Sequence, residues 1–570
     1  MRPWIVVASL SLSPQAALAC GGFFCDSSQP IDQTKERIVF DIDDVENKVE
    51  VHVQIYYQGS APEFSWVVPV PAVPEIRVTS DYVFEVLDRA TVPTFYRDTR
   101  TLGECDDTAF DSAYADTAGG GGLGGGSFDT AGPAAPTGVT VVAQTQVGPY
   151  DQVTLQASDP VALTTWLTEN GYAVPPTVGA ALAPYVSSTG YFVALKLQND
   201  RDSGDIAPIA MRYDGTVASI PLVLTSVAAQ PDMRIVPFIL HRDKRAIPDN
   251  YLHVVINDAA IHWMSGGENY DDVVTVAANE AGGQAFTTDY AGIAGPMLNY
   301  SFVWAERASR AELERATDPA AFIQLLLQQG FPTTQAMQEL LRQYIPMPAD
   351  AVATGISEAN WYNCVACFPG YAALVPFDPV AFTAALWEQM VVPSNHMKAL
   401  LTAHPYVTRL SSSMSAAEMT SDALFTVATG LGEQTNVYQA QLWYDCTNGP
   451  VRSAAPRWIL TPSGVRVDLP SEDALAASGG TDGGVVDALG LPGARLIEDL
   501  SADGSRTTLT DNSARIAALA SPSTAPAERV DTTEPSTPGA GPTGCGCDGT
   551  GGTAGAMALA GSLLLRRRRS

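Results

Sequence analysis

Apolar and polar residues alternate along the chain from Val49 to Tyr56. Val49, Val51, Val53 and Ile55 fall on one side, and Glu50, His52, Gln54 and Tyr56 on the other. A period of two is that of a strand with one buried face. Ile38 to Ile42 offers a partner across the turn from Asp43 to Lys48, so the pattern predicts a hairpin. Phe64 to Pro71 continues the β-rich character and closes on prolines, which suits a strand end or edge. Pro74 to Val78 reads as extended and Asp81 to Ala90 as a short helix. Further strands are predicted at Val153 to Gln156, Tyr191 to Leu197, Ile206 to Tyr213, Ser219 to Ser226, Arg234 to Leu240, Tyr251 to Ile256 and Val437 to Tyr444.

Helical spacing enters at Leu163, Trp166 and Leu167. Ser158 is the expected cap of that helix and Gly171 its stop. From residue 307 to 345 the period is helical throughout. Asp318-Pro319 opens one helix and Gly330 closes it; Thr334 caps the next, which ends before Pro346. Helical stretches follow from Pro379 to Met390 and near Lys398 to Leu401. The expected fold class is α+β, disulfide-containing, with a β-rich N-terminal half and helices in the C-terminal half.

Two stretches break the periodicity. Residues 106–138 hold an acidic patch, then Gly119 to Gly126 interrupted by Leu123, then Pro133-Ala134-Ala135-Pro136. Such a segment has little to bury and is expected to be a flexible insertion. Gly119, Gly121 and Gly124 match a dinucleotide-binding spacing, but no strand enters and no helix leaves, so that reading is rejected. From Pro470 the chain turns rich in Ala, Gly, Ser, Thr and Asp, and residues 470–544 are expected to be a solvated spacer. The exported body is accordingly placed at residues 20–469.

The two ends carry addresses. Arg2, the apolar run Trp4 to Leu12 and Ala17-Leu18-Ala19 before Cys20 form a signal peptide over residues 1–19. Cys20 at the new N-terminus leaves lipidation open, with Ala17 where a lipobox favours Leu. At the other end, residues 545–570 run Cys545-Gly546-Cys547, then Gly549 to Leu565, then Arg566, Arg567, Arg568 and Arg569. The apolar stretch is about 17 residues, roughly 25 Å as a helix, near the lower limit for a membrane span. The arginines would stay cytoplasmic while that stretch stalls in the membrane. This order resembles the myxobacterial C-terminal sorting tail, MYXO-CTERM. The resemblance implies processing or lipid attachment at Cys545 and Cys547 and retention through Arg566 to Arg569. A permanently inserted single span is the alternative. The expected partners are the export machinery, a signal peptidase and a sorting protease, with membrane contact through the tail. The expected location is the cell surface or outer membrane of a Gram-negative, myxobacterium-like bacterium.

Six of the eight cysteines lie in the body: Cys20, Cys25, Cys105, Cys364, Cys367 and Cys446. In an oxidising compartment these are disulfide candidates. Cys20 with Cys25 is the natural local pair; the other connectivity stays open. The Cys364-x-x-Cys367 spacing also suits half a zinc site or a redox dithiol, though no His lies close in sequence.

The body resembles the "domain of unknown function 2330" bacterial family. The resemblance rests on Ala19-Cys20-Gly21-Gly22-Phe23-Phe24-Cys25, the Gln33 to Phe40 strand, Phe64 to Pro71, Trp166 to Tyr172, Tyr406 to Leu410, Met414-Ser415, Glu418 to Thr420 and Phe425. These landmarks span residues 19 to 445. The family brings no agreed activity, so no catalytic residue carries over. It implies one architectural unit across the body.

A formal net charge of −30 repels phosphate backbones and excludes nucleic acid as the expected partner. The metalloprotease, nucleophile-elbow and P-loop motifs are absent from the sequence. The most site-like run is His262-Trp263-Met264-Ser265-Gly266-Gly267-Glu268, with a base, a nucleophile and an acid; His253 lies nearby. Asp41, Asp43, Asp44 and Glu46 read as a solvated turn rather than a calcium loop. Phe23, Phe24 and Trp66 read as core, and Arg409 as a buried bridge or cap. No catalytic residue, metal or cofactor is assigned, and the ligand stays unknown. The expectation is a non-enzymatic binding or structural module at the surface, with an extracellular hydrolase as the alternative.

Overall fold

The computed structural model describes residues 23–25, 32–58, 65–105, 139–172, 174, 177–186, 190–197 and 207–521. Contacts divide the chain after Pro522, and the unit from Ser523 to Ser570 lies outside the described residues. So do Cys20, Cys545, Cys547, Arg566 to Arg569, the signal segment and the Gly-rich insertion at 106–138. Within the described residues no helix is long and apolar enough to cross a membrane.

The predicted hairpin is the centre of the fold. Strands Asp32–Asp43 and Lys48–Gln58 pair antiparallel around the turn, with Asn47 in the left-handed region. Asp43 closes that turn by accepting from the backbone N–H groups of Val45 and Glu46. On one flank the hairpin pairs with Ile209–Asp214, and that strand with Glu75–Val78. On the other flank it runs parallel to Ala229–His241, then continues through Tyr406–Met414, Ala285–Ile293, Leu252–Ile256, Ala494–Leu500 and Arg506–Asp511. The result is a ten-stranded mixed sheet.

Both faces of this sheet are covered at its centre. On one face Ile38, Phe40, Val49, Val51, Ile235 and Ile239 meet Trp66, Val68, Val193 and Leu195 of a five-stranded sheet. The reverse of that second sheet, through Val67, Phe192 and Ala194, packs on helix Pro160–Glu169 and its neighbours. On the opposite face of the large sheet Val39, Val236, Phe238 and Leu240 meet a helical layer. That layer comprises helix Asp81–Thr91 and the helices from Gly295–Tyr300 to Val392–Ala403. Layering of this kind lets the central strands bury both faces, while the edge strands Val139–Val147 and Arg506–Asp511 stay largely exposed. Each fully buried Leu or Phe adds about 1.5–3 kcal/mol relative to exposure. A four-stranded sheet built on Val437–Cys446 and Thr94–Gly103 forms a further cluster with helices Tyr270–Glu280, Asp482–Ala488 and Ser513–Ala520.

The fold is mixed α+β, strand-rich in its first half and helical later, as the periodicity implied. Strand Tyr191–Leu197 and helices Pro319–Gln328 and Gln335–Tyr344 fall where the pattern placed them, capped by Asp318 and Thr334. Several expectations are corrected. Strand Lys48–Gln58 is not half-buried, because Glu50, His52 and Gln54 lie under the helical layer. Helix Pro160–Glu169 is capped by Asp159, whose carboxylate accepts from Ala162 N–H, rather than by Ser158. The strand expected from Ser219 to Ser226 ends at Ile220. Pro221 has no N–H to extend the ladder, and a helical turn Leu222–Thr225 follows. The two helices expected around residue 390 are nearly continuous. A π turn at Trp387–Val391 carries the backbone past Pro393, which cannot donate to the preceding turn.

The largest correction concerns the spacer. Residues 470–521, expected to be solvated, are folded. Their Ala and Gly content hides three short helices and two strands, and strand Ala494–Leu500 extends the large sheet beside Leu252–Ile256. Ile516 and Ala520 are fully buried. Glu498 lies 3.6 Å from the buried His253, and Asp482 accepts from the buried Arg457 at 2.6 Å. Small residues suffice here because they pack against an existing surface rather than forming a core of their own.

A chain ending at Leu469 is therefore expected to lose two strands and both partners, and to unfold at lower temperature than one ending at Ser521. The substitution Ile516→Asp should cost about 3 kcal/mol in urea denaturation of the latter. Equal stability of the two chains would restore the spacer.

Candidate functional site

The hairpin's second face is polar and buried, which no solvated strand requires. Arg37, Asp41, Glu50, His52 and Gln54 all sit on it, and Asp41 stands directly opposite Glu50 in the register. Like charges facing each other across a strand pair repel. Their burial is made tolerable by partners from two other segments.

The segment from Glu75 to Thr91 supplies one set. Arg77 donates to Glu50, Thr79 Oγ1 lies 3.0 Å from His52 Nδ1, and Asp81 accepts from Gln54. Arg37 donates to Asp88 at 3.2 Å. Burial pushes the Asp81 carboxyl up to about 7, partly opposed by the bond from Gln54. The helix Val392–Ala403 and its C-cap His404 supply the second set, at each end of the carboxylate pair. His396 Nε2 lies 2.7 Å from Glu50 Oε1, and His404 Nδ1 lies 2.6 Å from Asp41 Oδ1.

Glu50 is the hub. Its Oε1 is approached by His396 Nε2, by His52 Nε2 at 2.9 Å and by the Arg77 guanidinium. Burial acts to raise its pKa, but the two imidazoles and Arg77 outweigh it and hold the carboxyl far below the usual carboxylate range. The Arg77 Nη2 also lies 2.6 Å from His396 Nε2. Glu50, His52 and His396 form the group of metal-ligating side chains found among the described residues, with donor atoms within 4.8 Å of one another. Glu50 and His52 are on the page of the sequence as one face of a strand. His396 is the residue that sequence reasoning missed, because its partner is 346 positions away.

A second buried cluster lies further along the sheet. Arg409 donates to Asp289 at 2.9 Å and pairs with Asp88 at 2.6 Å. Asp289 is fully buried and also accepts from Tyr270, at 2.5 Å, and from Ser411. Arg409 is thus the buried bridge that its sequence context suggested. Asp41, by contrast, is not part of a solvated turn; it faces inward to His404.

The run from His262 to Glu268 does not assemble as a triad. His262 Nε2 pairs with Asp487 at 2.8 Å, whereas the Ser265 hydroxyl donates weakly to the His262 carbonyl at 3.4 Å. Trp263 is buried against Phe95, and Gly267 has positive φ with the Phe95 ring where a Cβ would stand. His253 is buried with Nε2 3.1 Å from Thr288 Oγ1, and burial lowers its pKa. Of the cysteines, Cys105 is bonded to Cys446 and Cys364 to Cys367. The second bond removes the zinc and free-dithiol readings for that state of the pair. Cys25 lies on strand Phe23–Cys25, but its side chain is outside the described residues, as is the Cys20 partner expected for it.

A family model for uncharacterised proteins conserved in bacteria, DUF2330, matches residues 14–304, just over half of the chain. The chain belongs to the DUF2330 family. The match takes in the hairpin, Arg77 and Asp289, while His396, His404 and Arg409 lie beyond it. No curated protein and no solved structure matches the chain. The polar face of this DUF2330 protein is therefore completed by a helix outside the matched region.

Two outcomes are expected. Arg409→Ala strands Asp289 and should cost about 3–5 kcal/mol in urea denaturation. His404 is raised above the ordinary 6.5, chiefly by its hydrogen bond with Asp41, with burial opposing. Its contribution is then fully present below 6.5 and lost as pH rises through the raised folded value. The stability gap between wild type and His404→Gln should shrink as pH rises from about 6.5 through the raised folded value. A gap independent of pH would remove the charged pair.

Proposed function

We propose that this DUF2330 protein is an exported binding or structural module displayed at the bacterial cell surface. The observation that carries the reading is the pair of disulfides, Cys105–Cys446 and Cys364–Cys367. Such bonds persist in oxidising compartments and are rare in the cytosol. The first joins residues 341 positions apart and ties the parallel strands Thr94–Gly103 and Val437–Cys446 at their ends. The signal segment before Cys20 supplies export, and the Cys–apolar–Arg tail resembling MYXO-CTERM supplies sorting to the surface.

The non-enzymatic part of the reading draws on how the reactive side chains are used. Asp41, Glu50, Asp289 and Arg409 are buried and join distant segments of the chain. His262 and Ser265 are engaged with separate partners. These are the contacts of a scaffold, and the exposed surface is left for recognition.

Mass spectrometry of the native termini and protease shaving of intact cells test this together. The expected mature N-terminus is Cys20, the Arg566 to Arg569 cluster is expected to be gone, and shaving should remove the protein from whole cells. An intact Arg cluster on the mature chain, or protection from external protease, would sink surface sorting. Non-reducing peptide mapping should recover Cys105 linked to Cys446. Cys446→Ser should cost about 2–5 kcal/mol.

A further inference from the structure

We propose that Glu50, His52 and His396 form a binding site for a divalent transition metal ion, with zinc the best match, and that Arg77 competes with the metal for it. The inference is independent of export and of surface display.

The donor set comes first. Two imidazole nitrogens and one carboxylate oxygen suit zinc, and three protein ligands leave a fourth position open. The geometry is close to what the ion needs. The Nε2 atoms of His52 and His396 lie 2.9 and 2.7 Å from the same Glu50 oxygen. Ligand atoms around tetrahedral zinc stand about 3.3 Å apart, given bonds of about 2.0–2.1 Å. A separation of roughly half an ångström brings each imidazole–carboxylate contact to that spacing, and the three donor atoms all lie within 4.8 Å of one another.

His52 supplies a second, separate observation. Its side chain is almost wholly buried, yet its Nε2 makes no hydrogen bond. The nitrogen is near Glu50 Oε1, but the direction is wrong for a ring N–H to donate. A buried nitrogen set beside a carboxylate without hydrogen-bonding to it calls for an explanation. The other ring nitrogen, Nδ1, lies 3.0 Å from Thr79 Oγ1. An Nδ1–H donated to Thr79 leaves the Nε2 lone pair directed into the cluster, and such an outer contact typically orients a metal-binding histidine.

Arg77 marks the same point from the other side. A guanidinium only donates. Its Nη2 nevertheless contacts both Glu50 Oε1 and His396 Nε2, so it addresses the lone pairs that a metal would use. The side chains of Arg77 and His396 are 35% and 30% exposed, whereas that of Glu50 is 2% exposed. The solvent-facing members can move while the buried ones stay fixed on the sheet. Arg77 is then a cation that swings outward when the metal enters.

Metal content and zinc titration against a chromophoric chelator, on purified chelator-treated protein, test the site. Wild type is expected to bind one zinc ion per chain. His396→Ala, at the exposed edge, is expected to weaken binding at least tenfold while the circular dichroism spectrum without metal stays near wild type, with some loss of stability from the contact to Glu50. Glu50→Gln should abolish binding, but its burial makes it the secondary variant. Arg77→Gln should tighten binding about tenfold, a gain that misfolding does not produce. His262→Ala should leave zinc affinity unchanged. No zinc bound by wild type, or equal affinity in wild type and His396→Ala, overturns the site. Unchanged affinity in Arg77→Gln overturns the competition.

Discussion

Two carboxylates, Asp41 and Glu50, face each other on the buried side of one hairpin. Neither can be left there unpaired, since an isolated buried charge costs far more than a typical fold retains as net stability. The requirement reaches through the chain. It places His396 of helix Val392–Ala403 and His404, the residue that caps its C-terminus, over the hairpin, one at each carboxylate. It also places Arg77, Thr79 and Asp81 at the neighbouring edge, where strand Glu75–Val78 passes into helix Asp81–Thr91.

This polar face determines how the layers register. An apolar face tolerates sliding, because hydrophobic burial has no direction. Charge pairs and hydrogen bonds are directional, so the helical layer has one position in which every carboxylate meets its cation. The Arg409–Asp289–Asp88 cluster extends the same logic. Its residues come from strand Tyr406–Met414, strand Ala285–Ile293 and helix Asp81–Thr91, so one guanidinium fixes sheet and helix together. The Cys105–Cys446 bond adds a covalent tie at the edge of the four-stranded sheet.

The residues from 470 to 521 show why composition alone misleads. Ala, Gly, Ser and Thr bury little apolar area each, but they serve well where a segment lies against an existing surface. Ala494 is buried beside Val254 and Ala277, and Gly493 approaches the backbone of helix Tyr270–Glu280 so closely that a Cβ would collide with it. A sparse hydrophobic pattern can therefore belong to a segment packed against the rest of the fold, not only to one that stays solvated.

Local signals were legible in the sequence. Period-two alternation located the hairpin, and Asp318 with Thr334 located two helix starts, because capping and pleating act over a few residues. The α+β class followed from the same short-range patterns, and the family from the resemblance of landmark segments such as Phe64 to Pro71. The alternation also put Glu50 and His52 on one face, but it assigned that face to water. Whether a polar face meets solvent or a second layer depends on segments hundreds of residues away. Only the tertiary structure brought His396 to Glu50, His404 to Asp41 and Cys446 to Cys105. The physical reason is range: backbone geometry is set by near neighbours, whereas the pairing of buried charges is decided when the layers close.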